Sequence, residues 1–370
     1  MNRLLALARP EIVNMQAYRS ARSEQTQGNF WQGNFWQGNF WQGNFSQGDF
    51  WLDANEAPWD DPYRYNRYPE PQPKNLINLL SNLYGVNTDQ VLVTRGSDEG
   101  IDLLVRAFCN ASQDSILICP PTYGMYQVAA TIQNAHVLTV PLIKEQNFSL
   151  NLRGILKAWQ PTTKLIFLCS PNNPTGNLLS TSDILELCTI FENRALIIVD
   201  EAYIEFSDSA SLTSYLKIHS NLIILRTLSK AYGLAGLRCG STLANPALIN
   251  LLKKVIPPYP IAQPVINLVE QQLSAEALMK TEEKISLIKL EKNKIMSAFK
   301  NQPQIKKAWD SQTNFILFSV EDAQQVMKIF IQHGIVLRNR HKDYSLENCI
   351  RMTIGTPFEN QRCLEVLNAL

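Results

Sequence analysis

From about residue 90 the chain alternates short, β-branched-rich apolar runs with stretches of helical periodicity, and no other feature limits its fold as much. QVLVT (90–94) is followed by DEGIDLLVRAFC (98–109), where Ile101, Leu104, Val105 and Phe108 recur at the spacing of one helix face. The pattern continues with SILIC and TYGMYQVAATIQ, HVLTV and LNLRGILKAW, KLIFLC and TSDILELCTIF, then ALIIVD, NLIILRT and CGSTLA. Runs apolar on both faces are strands of a covered, mostly parallel sheet. The proline-rich VIPPYPIAQP (255–264) interrupts this pattern, and a long polar helical region follows to about residue 300. NFILFSV, a helix around 322–333, GIVLRN and CIRMTIG then form a smaller α+β unit. The expected fold class is α/β: an N-terminal arm (1–59), a large sheet domain (60–255), and an inter-domain helix with a small C-terminal domain (256–370). The arm is expected to join the two domains.

Composition removes several function classes. A net charge of +1, with Lys253–Lys254 and Lys306–Lys307 the only notable basic pairs, gives no footing for nucleic acid or an anionic membrane. Cysteines at 109, 119, 169, 188, 239, 349 and 363 are odd in number and lack CxxC spacing, which argues against a disulfide framework and a zinc site. Several lie within apolar runs, where a reduced thiol packs as a small hydrophobe. The four histidines are scattered, so no metal is expected. MNRLLALARP holds too few apolar residues for a signal peptide, and no run approaches the roughly 18 of a membrane helix. A cytoplasmic location is expected. Residues 27–51 repeat QGNFW-like pentapeptides five times. A period of five gives neither a helix nor a strand a packable apolar face, so the tract is expected to be an exposed or disordered insert, less plausibly an aromatic recognition segment.

The chemistry gathers at strand ends, where ligands bind in open parallel sheets. Gly96-Ser97-Asp98 follows QVLVT and opens a helix whose free N–H groups suit a phosphate; alone, simple N-capping by Ser97 or Asp98 explains it better. SPNNPTG (170–176) is a rigid turn that can aim Asn173 into a cleft, although taken alone a tight βα connection explains it better. Asp200 ends the apolar run IIVD, where an unpaired carboxylate is costly, so a cationic partner is expected. Tyr203 follows three residues later, and Lys230 stands at another strand end, before a glycine-rich turn that leads to Arg238. A partly desolvated lysine near cations has a depressed pKa and can form an imine with an aldehyde. A deep carboxylate can keep a pyridinium nitrogen protonated. Together these requirements describe pyridoxal phosphate, carried by Lys230.

The ordered motifs SPNNPTG, DEAY, TLSKAYGLAGLR and CIRMTIGT resemble the fold-type I aminotransferases. More narrowly, RYPEPQP (67–73), RGSDEGIDLLVRAFC (95–109), CPPTYGMY (119–126) and LRCGSTLAN resemble the histidinol-phosphate aminotransferase family, over nearly all of the chain outside the repeats. The resemblance implies that Lys230 carries pyridoxal 5′-phosphate and shuttles the proton, and that Asp200 pairs with the pyridinium nitrogen. It implies that Tyr203 and Asn173 contact the ring oxygen and that Tyr123 stacks on the ring. Ser97, Asp98, Thr227, Ser229 and Arg238 would hold the cofactor phosphate, with Tyr68 reaching the neighbouring subunit's phosphate in a homodimer. Arg351, Arg338 and Tyr18 would meet the substrates: histidinol phosphate in one half-reaction, glutamate or 2-oxoglutarate in the other. Two departures stand out. The repeat tract adds roughly twenty residues beside the arm, at little loop-closure cost (about 0.6 kcal/mol per doubling), and could swing Tyr18 away from the site. Ser241 replaces an expected aromatic residue. The rival readings are a phosphorylated-amino-acid decarboxylase or another amino-acid aminotransferase on the same scaffold, and a non-catalytic cofactor-binding interaction protein.

Overall fold

The computed structural model describes residues 3–18, 52, 54–59, 63 and 65–369, so the repeat tract at 27–51 lies outside the described residues. The apolar runs become strands β1 (Val91–Thr94), β2 (Ser115–Ile118), β3 (His136–Thr139), β4 (Thr163–Cys169), β5 (Leu196–Asp200), β6 (Leu222–Thr227) and β7 (Gly240–Leu243). They form one sheet in the order β1-β7-β6-β5-β4-β2-β3. Strands β3, β2, β4, β5 and β6 are mutually parallel, whereas β7 runs antiparallel to both its neighbours. Side-chain alternation divides each strand between two cores. In β4, Ile166 and Leu168 enter one and Leu165, Phe167 and Cys169 the other. The strand β3 departs from the expectation of burial on both faces. It is the last strand of the sheet, and His136 and Thr139 are exposed.

Helices α1 (Pro10–Asn14), α2 (Lys74–Tyr84), α3 (Gly96–Phe108), α4 (Met125–Ile132), α5 (Leu152–Ala158), α6 (Thr181–Ile190) and α7 (Pro246–Val255) accompany this sheet. The face of α3 read from the sequence is buried: Ile101, Leu104, Val105 and Phe108 have no exposed surface. The described start of the arm packs on the helices of the large sheet. Leu4, Leu7 and Ala8 pack into the core beneath α3 and α7, the Arg9 amide donates to the Ala107 carbonyl at 3.0 Å, and Lys254 Nζ donates to the Val13 carbonyl at 2.7 Å. Leu4, Leu7 and Ala8 find burial on the nearest helix layer, which is why this part of the arm ends up there.

After the proline-rich segment come α8 (Gln263–Gln272) and α9 (Ala275–Phe299), then β8 (Lys307–Ala308), β9 (Phe315–Ser319), α10 (Ala323–Gln332), β10 (Arg338–Asn339), β11 (Cys349–Thr353) and α11 (Pro357–Asn368). Strands β10-β11-β9-β8 form an antiparallel sheet over a core that includes Phe299, Phe318, Phe330 and Ile350. GIVLRN yields only a two-residue strand. Gly334 (φ +74°) ends α10 in a left-handed turn, and Ile335 and Leu337 pack against this core while Val336 faces solvent, before the ladder with β11 begins. All seven cysteines are buried and unpaired.

Candidate active site

The carboxyl ends of β4, β5 and β6 meet the edge of the four-stranded sheet around a cleft of ≈ 880 Å³. Every residue assigned to the site from the sequence lines it except Tyr18 and Tyr68.

Asp200, the last residue of β5, is 2% exposed. Its partners are the Tyr126 hydroxyl, donating at 2.8 Å, and the Ala202 amide at 3.1 Å. No protein side chain supplies the expected cation: among the described residues none lies within ion-pair distance of this carboxylate. Burial therefore raises its pKa to about 6, against the lowering effect of the Tyr126 and Ala202 hydrogen bonds. Strand alternation turns the next side chain, Glu201, away from the cleft. There it accepts from the Leu212 amide at 2.7 Å and pairs with Arg226, itself bonded to Glu205 at 2.7 Å. Tyr126 was not predicted. Its signal was a phenol on the apolar face of α4, because a buried hydroxyl there needs an acceptor.

Lys230 lies beyond β6, with Nζ 5.5 Å from the Tyr203 ring centroid. Desolvation lowers its pKa, and the Arg351 guanidinium lowers it further. Tyr203 is buried, sits edge-on to Phe315, and accepts from Asn173 Nδ2 at 3.5 Å, the outer limit of a hydrogen bond. Asn173 Oδ1 in turn accepts from Arg351 at 2.6 Å.

At the other side of Lys230, α3 opens with Ser97 and Asp98 in its first turn. Neither side chain caps the helix, so the simple capping explanation does not hold. Asp98 instead accepts from the Tyr123 hydroxyl at 2.9 Å and pairs with Arg238 at 3.3 Å. Arg238 also donates to Ser229 at 3.3 Å, and Ser229 accepts from Thr227 at 2.9 Å. Two glycines make this arrangement possible. A Cβ on Gly240 would stand 2.6 Å from the Gly96 carbonyl carbon and 2.7 Å from the Ser97 nitrogen, and one on Gly96 (φ +74°) would meet Arg238 at 2.7 Å. The result is a helix N-terminus, a guanidinium and two hydroxyls around one point, an anion cradle by chemistry and by dipole.

Arg338 and Arg351 face each other across β10 and β11. Arg340, also absent from the sequence-based set, joins them in the cleft; its signal was position i+2 from Arg338, the same face of an extended strand. Tyr18 is 73% exposed, and Tyr68 is half exposed with its ring stacked on Tyr259 at 4.5 Å. Neither reaches the cleft of its own chain. Ser241 is fully buried on β7, and its hydroxyl has no partner.

The sequence matches the family described as aminotransferase class I and II over residues 39–367. It is 43% identical over 368 residues to the histidinol-phosphate aminotransferase of Shigella flexneri serotype 5b, covering 98% of this chain and 97% of that one. It is 40% identical over 369 residues to the enzyme of that name from Blochmanniella pennsylvanica, with the same coverage. Among solved structures, the histidinol-phosphate aminotransferase of Sinorhizobium meliloti, in complex with pyridoxal-5′-phosphate, superimposes with a TM-score of 0.73 at 22% identity, covering 82% of this chain and 83% of that one. L-threonine-O-3-phosphate decarboxylase from Porphyromonas gingivalis gives 0.68 at 21%, covering 82% and 90%. At those identities the structures establish the fold.

Proposed function

The chain belongs to the aminotransferase class I and II family, and from that membership we infer that it is a pyridoxal 5′-phosphate-dependent transaminase acting on L-histidinol phosphate. It exchanges the amino group with 2-oxoglutarate to give imidazole-acetol phosphate and L-glutamate, in histidine synthesis. The observation that carries this is identity of 40–43% to histidinol-phosphate aminotransferases over nearly the whole of both chains.

The residues fit the cofactor. A buried carboxylate without a protein cation suits a ring nitrogen that carries a proton, and the cradle at the start of α3 suits a phosphate. When bound, pyridoxal phosphate supplies an aldehyde that condenses with amines and an electron-withdrawing ring that weakens the adjacent C–H bond. Lys230 would hold it covalently through Nζ, and Asp200 would keep its ring nitrogen protonated. Tyr203 and Asn173 would donate to its ring oxygen, and Tyr123 would lie on the ring face. The Ser97 and Asp98 amides, Thr227, Ser229 and Arg238 would take its phosphate. Lys230 Nζ, its pKa lowered by burial, is the base that removes the proton from the amine-bearing substrate carbon and the acid that returns one. Arg351 and Arg338 receive the anionic ends of the substrates, since a planar guanidinium forks onto carboxylate and phosphate alike.

The active unit is a cytoplasmic homodimer. An exposed Tyr68 outside its own cleft supports a role at the partner's cofactor phosphate, and Tyr18 would approach the substrate only after the arm moves. No helix of the described residues is long and apolar enough to cross a membrane. The proposed division at residues 59 and 255 into arm, cofactor-binding domain and small domain is supported for its two domains by the presence of two separate sheets.

An amine-donor screen of the purified holoenzyme with 2-oxoglutarate, read as glutamate formed, tests the assignment. Histidinol phosphate is expected to be the best donor. Carbon dioxide release without glutamate would instead assign a decarboxylase, and cofactor binding without turnover of any amine would assign a non-catalytic protein.

A further inference from the structure

We propose that Arg340 is a specificity-determining residue for the phosphate of the substrate, held ready by Asp343 and released from it by a phosphate group but not by a carboxylate. The proposal rests on the transaminase reading above and deepens it.

Three guanidiniums share one face at the edge of the four-stranded sheet. Arg338 is in register with Arg351 across the β10–β11 ladder. The Arg340 amide continues that ladder by donating to the Cys349 carbonyl at 2.9 Å, so the Arg340 side chain projects on the same side as that of Arg338. All three line the cleft. Like charges set opposite each other on paired strands are destabilising, yet among the described residues only one carboxylate, Asp343, pairs with any of them. It pairs with Arg340. Arg351 is bonded to the neutral Asn173 amide oxygen. Three guanidiniums against one carboxylate leave the face with two uncompensated positive charges.

The Arg340–Asp343 pair is built so that it can be exchanged. Its two side chains are 16% and 30% exposed, and both border the cleft. Arg340 Nε has no partner, so donors remain after Asp343 has taken its share of the five a guanidinium offers. The segment carrying Asp343 is tethered outside the cleft lining by Lys144 Nζ, which donates to the Ser345 carbonyl at 2.7 Å. An exchange of ion pairs can therefore occur by side-chain rotation, with the backbone in place.

The chemistry of the exchange selects the ligand. A substrate carboxylate brings one charge and two oxygens, and it gains nothing by displacing an equivalent carboxylate from Arg340. A phosphate monoester brings about 1.5 to 2 charges and three acceptor oxygens. It can take Arg340 from Asp343 and still bridge to Arg338. Asp343 thus works as a filter, satisfying Arg340 against glutamate and yielding to phosphate.

The test uses the holoenzyme and two variants, Arg340→Gln and Asp343→Asn, with each half-reaction followed separately and inorganic phosphate as a competitive inhibitor. For Arg340→Gln, KM for histidinol phosphate and the inhibition constant of phosphate should rise at least tenfold, and the loss on glutamate should be at least tenfold smaller. For Asp343→Asn, both phosphate constants should move the opposite way, tightening severalfold. A purely structural ion pair would weaken both variants in the same sense, and that result overturns the proposal, as does an equal loss on glutamate and phosphate. A native enzyme that turns over glutamate but not histidinol phosphate would remove the substrate assignment, while phosphate inhibition of the two variants would still decide the role of Arg340.

Discussion

Asp200 is surrounded by groups that favour its charged form and by a burial that opposes it, and burial wins. For an acid whose folded pKa is raised, to about 6 here, the stabilising contribution is complete below the unfolded value of about 4 and is lost as pH rises through 6. The cofactor-free protein should therefore lose on the order of 3 kcal/mol from this group between pH 4 and pH 7.5, at about 1.4 kcal/mol per unit. Asp200→Asn has no such titration, so its stability relative to the native chain should climb over that interval. Urea denaturation of both cofactor-free proteins at several pH values measures this; parallel curves would remove the assigned titration from Asp200. At this scale the sequence located the carboxylate but not its neighbours. Asp200 was legible because a charge ending an apolar run is conspicuous. Tyr126 was not, because its pairing is made by tertiary packing that brings the start of α4 to the end of β5, 74 residues away in the chain.

The elements were more legible than their joins. The two periodicities marked β1 to β7 and their helices, since strand and helix faces leave different residue spacings. Nothing in CGSTLA revealed that β7 runs against its neighbours, because an antiparallel strand buried on both faces has the same composition as a parallel one. That reversal sets Gly240 opposite Thr227 and beneath the first turn of α3. Gly240→Ala should push the Gly96–Ser97 backbone away from its position, as the new methyl would stand within 2.8 Å of three backbone atoms. A destabilisation of about 1–3 kcal/mol is expected for overpacking of this kind, together with weaker cofactor retention. Gly236→Ala is the matched control, since nothing lies within 4 Å of its would-be Cβ. Melting temperature and cofactor affinity of the two variants should differ clearly; equal effects would mean that the cradle is not set by this contact.

For the whole molecule, the residue that cannot be placed from one chain is Tyr68. If it completes the partner's site, a Tyr68→Ala protein and a Lys230→Ala protein, each inactive, should recover activity when their subunits are exchanged, because one of the two hybrid sites keeps both residues. Up to a quarter of native activity is expected in a fully exchanged equal mixture, and no recovery after demonstrated exchange would place each site within a single subunit. The arm shows where reading from sequence stops at this scale: its apolar residues were visible, but the surface that receives them was not, and they settle on α3 and α7. A last consequence follows from the seven buried cysteines. Thiol chemistry requires the thiolate, and burial pushes Cys119 and Cys239 up to about 12 and Cys349 to about 11. The native protein should thus be nearly silent toward maleimides and release seven titratable groups in denaturant. One cysteine introduced at an exposed position such as Phe358, 74% exposed, would then accept a dye or spin label selectively, so that subunit exchange could be followed without first removing any natural cysteine.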